Sequence, residues 1–524
     1  MDHAELVILF LLVAVAALGA IARVVGVPYP IALVVGGSFV GFAPGVPSVE
    51  LDPDLVLLIF LPPLLFNAAY FSSVRDLRAN MRSITLSAVG LVLLTVALVA
   101  IAAHAAIDGL PWAAAFALGA IVSPTDPLAA TAITRRLGVP RRLVTAIEGE
   151  SLINDGTALV AFRTAVAAGT GAGFDLLHAG GEFVVSAAGG IAFGVVAGYA
   201  IVWILRRLVA DDIVGVTISL AAGYVGYIPA EHLGVSGVLA AVTVGLIVGR
   251  HAWEVSTASS RLRGYAFWEV LVFLLNAVLF LLVGLQLPSI LEAQDRGTGT
   301  LIGLGLLVAA VVVGSRILWL NTTPYVIRAL DRRPSQVERR VGWRPRLVIA
   351  WSGLRGAVSL AAALALPLDF PERDLLVFLT LCAIFATLVL QGLTLPALIR
   401  WLGVEDDGIS AREELIARKH ATRAALERIE ELREEEWTLD DSVERLARMY
   451  GFRQRRLLQR AGHADEESAE DLEARSLAYQ RLVREVLDSQ RMRLVALRDE
   501  GTISDEVLFA LERELDLEDQ RLEI

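Results

Sequence analysis

Long apolar runs separated by short charged breaks fill this chain up to about Val404, where the pattern changes abruptly. A helix that crosses a bilayer needs about 20 mainly apolar residues. Runs of that kind fall near 5–22, 30–43, 53–71, 84–106, 112–136, 143–168, 181–207, 212–229, 235–249, 265–286, 300–329, 346–367 and 373–400, which predicts about thirteen spans. The first run follows an acidic start, Met1-Asp2-His3-Ala4-Glu5, where a secretory signal needs positive charge. It is expected to be the first span and not a leader.

Beyond Val404 the chain turns to Glu, Arg, Leu and Ala, with apolar residues kept at helical spacing among the charges (Leu415, Ile416, Leu426, Ile429, Leu432). Helices are expected over 410–436, 438–461, 466–499 and 504–515, the last opened by Thr502-Ile503-Ser504-Asp505-Glu506. The expected domains are therefore a membrane domain, 1–403, and a cytoplasmic helical tail, 404–524.

Composition agrees with a chain built for lipid. Hydrophobic residues make up 55% of it and aromatics only 7%, so the apolar mass is small and aliphatic, suited to close helix packing. The formal net charge of −11 belongs to the tail, where 32 acidic residues face 20 basic ones. That mixture offers no basic patch for nucleic acid. The single cysteine, Cys382, excludes an internal disulfide and a thiolate zinc site, and reads as a small buried hydrophobe.

Arginines fix the expected orientation. They cluster after odd-numbered spans (Arg23; Arg75, Arg78 and Arg82; Arg135, Arg136, Arg141 and Arg142; Arg206 and Arg207; Arg250, Arg261 and Arg263; the stretch 328–346; Arg400). Even-numbered ends carry only Arg296 and Arg373, beside Asp295 and Asp374. Positive charge collects on the cytoplasmic side, so the N-terminus is expected outside and the tail inside.

Charge inside the bilayer costs roughly 2.5–3.5 kcal/mol per residue, so it marks candidate sites. In the fifth span, Ser123-Pro124-Thr125-Asp126-Pro127 carries two prolines three apart. Each removes an amide donor and clashes with the turn before it, which predicts an extended break with Thr125 as an oxygen ligand and Asp126 beside a new helix N-terminus. In the sixth span, Glu150, Ser151, Asn154 and Asp155 share one helical stripe. A carboxylate removed from water there can hold a proton or a cation in turn. In the twelfth span, Gly353-Leu354-Arg355-Gly356 suggests a second break, with Arg355 near exposed carbonyls. Arg316 in the eleventh span needs a partner, for which Glu150 is the candidate, and Arg163 is read as snorkelling to an interface. The two breaks lie seven spans apart, so spans 1–6 and 8–13 form expected inverted repeats around a midplane site.

At these residues the chain resembles the monovalent cation:proton antiporters of the NhaP and NHE type. The matching motifs are SPTDPLAATAI, EGESLINDGTALV, FWEVLVFLLNAVLFLLVGLQ and WSGLRGAVSLA, in this order, with FLPPLLFNAAYF over 60–71. The resemblance covers about 5–403; in the tail only GTISDEV and ELDLEDQRL are similar to bacterial members. It implies an all-α polytopic protein of the plasma membrane in which core helices (84–168 and 300–400) move against dimerisation helices (5–71 and 212–286), as a homodimer among membrane lipid. It also implies electroneutral exchange of one Na⁺ (or Li⁺ or K⁺) for one H⁺ at Asp155, with Asn154, Ser151 and Thr125 around the ion. Glu150 and Arg316 would form a structural ion pair, and Asp126 and Arg355 would offset half-helix dipoles. Several relatives carry a carboxylate where this chain has Asn67 in its third span.

The resulting reading is a secondary active transporter without cofactor and not an enzyme: no nucleophile elbow, phosphate loop or HExxH occurs. A K⁺/H⁺ exchanger on the same scaffold, or a channel or ion sensor signalling through the tail, are the other readings.

Overall fold

The computed structural model describes residues 3–43, 53–170, 176–208, 211–292, 296–330, 341–460 and 466–522. Asp295 and the middle of the arginine-rich stretch, 331–340, lie outside the described residues. Every regular element described is helical, and the chain divides into two compact units, Met1–Asp406 and Asp407–Ile524.

The first unit begins with α1 (His3–Val25), α2 (Tyr29–Gly41) and α3 (Pro53–Tyr70). There follow α4 (Val74–Thr85), α5 (Val92–Ala106), α6 (Trp112–Val122), α7 (Pro127–Arg136) and α8 (Arg141–Gly169). Next are α9 (Leu176–Leu208), α10 (Asp212–His232), α11 (Gly237–Val255), α12 (Ala258–Glu292) and α13 (Thr298–Leu330). The unit closes with α14 (Trp343–Trp351), α15 (Ala357–Leu364), α16 (Arg373–Phe385) and α17 (Gly392–Leu402). One wide π turn, Leu86–Leu91, joins α4 to α5 and another, Ala386–Gln391, joins α16 to α17.

Among the described residues eight helices are long and apolar enough to cross a membrane, and three shorter apolar ones accompany them: Leu9–Val25, Tyr29–Gly41 and Leu55–Tyr70. The protein is a multi-pass membrane protein. The fourth span begins earlier than expected, at Val74, because Ser73 caps an amphipathic turn by accepting from Asp76 N at 3.2 Å. Proline alone does not end these helices: α3 runs through Pro62 and Pro63, and α13 through Pro324.

Small residues set the packing. An added Cβ on Gly37 of α2 would lie 2.7 Å from the carbonyl of Leu281 in α12, so the backbones touch. α2 packs on α12, and α11 on α3, α9 and α10; separately, α6 packs on α5 and α8, and α13 on α5, α14 and α16. The two groups meet where α15 lies against α3 and α12, and α8 against α11.

The second unit holds α18 (Ile409–Leu432), α19 (Asp440–Arg460), α20 (Glu466–Asp499) and α21 (Asp505–Leu522). α18 pairs with α19, and α20 with α21. α21 runs about two turns past the expected residue 515. Arg491 of α20 bonds Asp516 at 2.9 Å, and Arg484 bonds Asp519 at 3.4 Å, which ties down those turns.

Candidate functional site

The site forms around two interruptions. α6 ends at Val122, residues 123–126 are non-helical in their hydrogen bonding with Asp126 extended, and α7 restarts with Pro127 at its first position, where no amide donor is required. α14 ends at Trp351, and α15 restarts at Ala357 after a second irregular stretch, 352–356. The two stretches are tied together by Asp126 N donating to Leu354 O at 2.8 Å.

Four half-helix ends converge there, and two charges serve them. The Asp126 carboxylate accepts from Leu128 N at 2.9 Å and also from the Ala357 N–H, so one anion caps the N-termini of α7 and α15. Gly356 lies so close to that carboxylate that a Cβ would overlap it. Arg355 does the reverse. Its Nε donates to Val122 O at 2.7 Å and its Nη1 to Gly353 O at 2.6 Å, so one cation serves the C-terminal ends of α6 and α14. Its own amide donates to Thr387 Oγ1 at 3.1 Å, inside the second π turn.

The polar stripe of α8 divides into two parts. Glu150 pairs with Arg316 of α13, both buried, and Arg316 Nε and Nη2 also donate to Ile349 O at 3.3 and 3.2 Å. One helical turn on, Asn154 Nδ2 donates to Thr125 Oγ1 at 2.7 Å, and Ser151 Oγ lies 3.0 Å from the same hydroxyl. Asn154 Oδ1 and Asp155 Oδ1 are buried without a protein partner. An ionised oxygen in that position is costly, so Asp155 calls for a proton or a cation.

A cavity of about 210 Å³ supplies the room. Asp155, Ser151, Thr125 and Asp126 line it together with Asn67 of α3. Its mouth is at Ser72, Arg135 and Glu148, where Arg135 Nη2 and Glu148 Oε1 are 2.6 Å apart and partly exposed. Glu148, Ser151 and Asp155 recur at i, i+3 and i+7, so one face of α8 leads from the mouth to Asp155.

Among the lining residues that escaped the sequence reading are Glu148, Asn276 of α12 and Ser359 of α15. Spacing on α8 could have found Glu148. Asn276 and Ser359 sit within the FWEVLVFLLNAVLFLLVGLQ and WSGLRGAVSLA motifs as single polar residues in apolar runs. Arg163 is a correction: it pairs with Glu231 at 2.5 Å instead of simply snorkelling. Glu231 is held in reach by accepting from Gly237 N at 2.8 Å. Cys382 is free and half-buried against Gly305.

Comparisons with known proteins agree on one relationship. The family model described as "Sodium/hydrogen exchanger, transmembrane" matches residues 9–401. An uncharacterised Na⁺/H⁺ exchanger of Mycobacterium tuberculosis is 36% identical over 528 residues, covering 98% of this chain and 96% of the relative. The Na⁺/H⁺ antiporter ApNhaP of Aphanothece halophytica is 35% identical, covering 77% and 74% respectively. Among solved structures, the sodium proton antiporter MjNhaP1 of Methanocaldococcus jannaschii shares the fold with TM-score 0.59 at 20% identity, over 76% of this chain and 99% of that one.

Proposed function

The chain belongs to the sodium/hydrogen exchanger family, and from that premise we propose that it exchanges one Na⁺ for one H⁺ at Asp155. The observation that carries this reading is the unpartnered, buried Asp155 Oδ1 on the wall of a cavity that reaches the protein surface. In the proton-loaded form Asp155 is a neutral acid. Sodium entering the cavity displaces that proton and takes the carboxylate, Ser151, Thr125 and the side-chain oxygen of Asn154 as hard oxygen ligands. Either way the site carries one added positive charge, so exchange is electroneutral. Glu150–Arg316, Asp126 and Arg355 hold the frame.

The packing supports a route for translocation. The group containing both interruptions moves as a body against α1–α3 and α9–α12, and the cavity lies along their boundary. We assign thirteen spans in two inverted repeats: the eight long apolar helices, the three shorter ones, α8 and the α14–α15 pair. The mouth at Arg135 and Glu148 then faces the cytoplasm, on the arginine-rich side. The N-terminus is outside, and the unit Asp407–Ile524 is a cytoplasmic regulatory domain.

Everted vesicles test the assignment. A preset proton gradient should collapse on addition of Na⁺ and not in its absence; Li⁺ and K⁺ in the same series give the ion preference. A K⁺-only response would favour the K⁺/H⁺ reading, and cation flux without proton flux would favour a channel.

A further inference from the structure

Buried hydroxyls in these spans commonly bond back along their own helix: Ser38, Ser352, Thr380 and Thr387 each donate to the carbonyl four residues earlier. Ser359 makes no such bond. It is the third residue of α15, and the residue four before it, Arg355, lies in the irregular stretch. The consequence is visible: Ser359 is 1% exposed, and its Oγ has no partner among the described residues.

A buried hydroxyl left unpaired destabilises a fold, and a structural serine would be better replaced by alanine there. Ser359 lines the cavity that contains Asp155, Ser151 and Thr125. Asp155 Oδ1, on the same cavity, is likewise unpaired. Asp155 and Ser359, from two separate helices on one cavity, each present an unsatisfied oxygen of the kind a hard cation takes. Resting on the exchange reading above, we propose that Ser359 is a ligand of the transported cation, contributed by the second interrupted helix. The ion is then held by α8 and by both interruptions, so it is gripped from both halves of the crossing. Asp126 caps the start of α15, which offsets the positive helix end that would otherwise repel a cation near Ser359. As Ser359 is neutral, it favours Na⁺ over an empty site without adding a second proton acceptor.

The test is Na⁺-driven proton flux in everted vesicles for wild type, Ser359→Ala and Ser359→Thr. Ser359→Ala should raise the Na⁺ concentration for half-maximal exchange about fivefold or more, leaving the maximal rate unchanged, and Ser359→Thr should restore it by keeping the hydroxyl. A half-saturation in Ser359→Ala equal to wild type, or a fall in maximal rate alone, overturns the proposal. Wild type with no Na⁺-driven flux would overturn the exchange reading and this inference with it, so the two failures are distinct. Na⁺-dependent thermal stabilisation of the purified protein gives the same readout without transport. Superimposed wild-type and Ser359→Ala curves would again overturn it.

Discussion

Glu150 and Asp155 lie five residues apart on α8, both buried, in opposite surroundings. Around Glu150 every polar group is matched: Arg316 takes the carboxylate, and its remaining nitrogens reach Ile349 O. Around Asp155 the oxygens are left over and a cavity lies alongside. The same residue class on one helix therefore meets two environments, and the difference is set by what the neighbouring helices present. A buried carboxylate held by a fixed cation suits a framework; one on a cavity wall suits a mobile cation.

The contrast gives a graded series of expectations. The largest effect is expected from Asp155→Asn, which removes the carboxylate proposed to alternate between proton and Na⁺: exchange should vanish in vesicles while membrane abundance by immunoblot stays at the wild-type level. Retained Na⁺-driven proton flux would break the contrast. Glu150→Gln should act on stability instead, because it leaves Arg316 charged and buried, at a cost of about 3–5 kcal/mol. A large drop in melting temperature is expected in detergent, and the combined apolar replacement of Glu150 and Arg316 should recover much of it. Any exchange left in Glu150→Gln should keep the wild-type half-saturation for Na⁺.

A subtler effect concerns pH. One proton excludes one ion at Asp155, so the apparent half-saturation for Na⁺ should rise as pH falls, approaching about tenfold per unit once the protonated form dominates. Initial rates over a grid of pH and Na⁺ concentration check this; a half-saturation independent of pH would contradict competition. The smallest effect is expected from truncation after Val404, which removes a separate compact unit. Exchange should remain measurable with a shifted pH profile, and its complete loss would show the unit to be structural.

Much of this contrast was legible in the residues. Pro124 and Pro127 flanking Thr125-Asp126 announced the first interruption, and the spacing of Glu150, Ser151, Asn154 and Asp155 announced the stripe. Proline was not sufficient evidence, however, since Pro62, Pro63, Pro229 and Pro324 all sit inside continuous helices. What distinguishes the 123–126 stretch is a partner for its freed backbone, the Leu354 carbonyl, some 228 positions away in sequence. Ser359 and Asn276 were illegible for the same reason. A single polar residue in an apolar run commonly bonds to its own helix, and only the assembled cavity shows that Ser359 does not. The π turns left no readable mark either, because their extra residue is accommodated by contacts from other helices, as where Gly90 meets the ring of Trp319.

The central claim, that proton and cation compete for Asp155, is tested most directly by proton release on cation binding. Purified protein in weakly buffered detergent, at a pH where Asp155 is protonated, should release about one H⁺ per chain as Na⁺ saturates it, following the linkage of the two ions. The Asp155→Asn protein should release none. An unchanged release from Asp155→Asn, or saturable Na⁺ binding to wild type without release, would contradict the account.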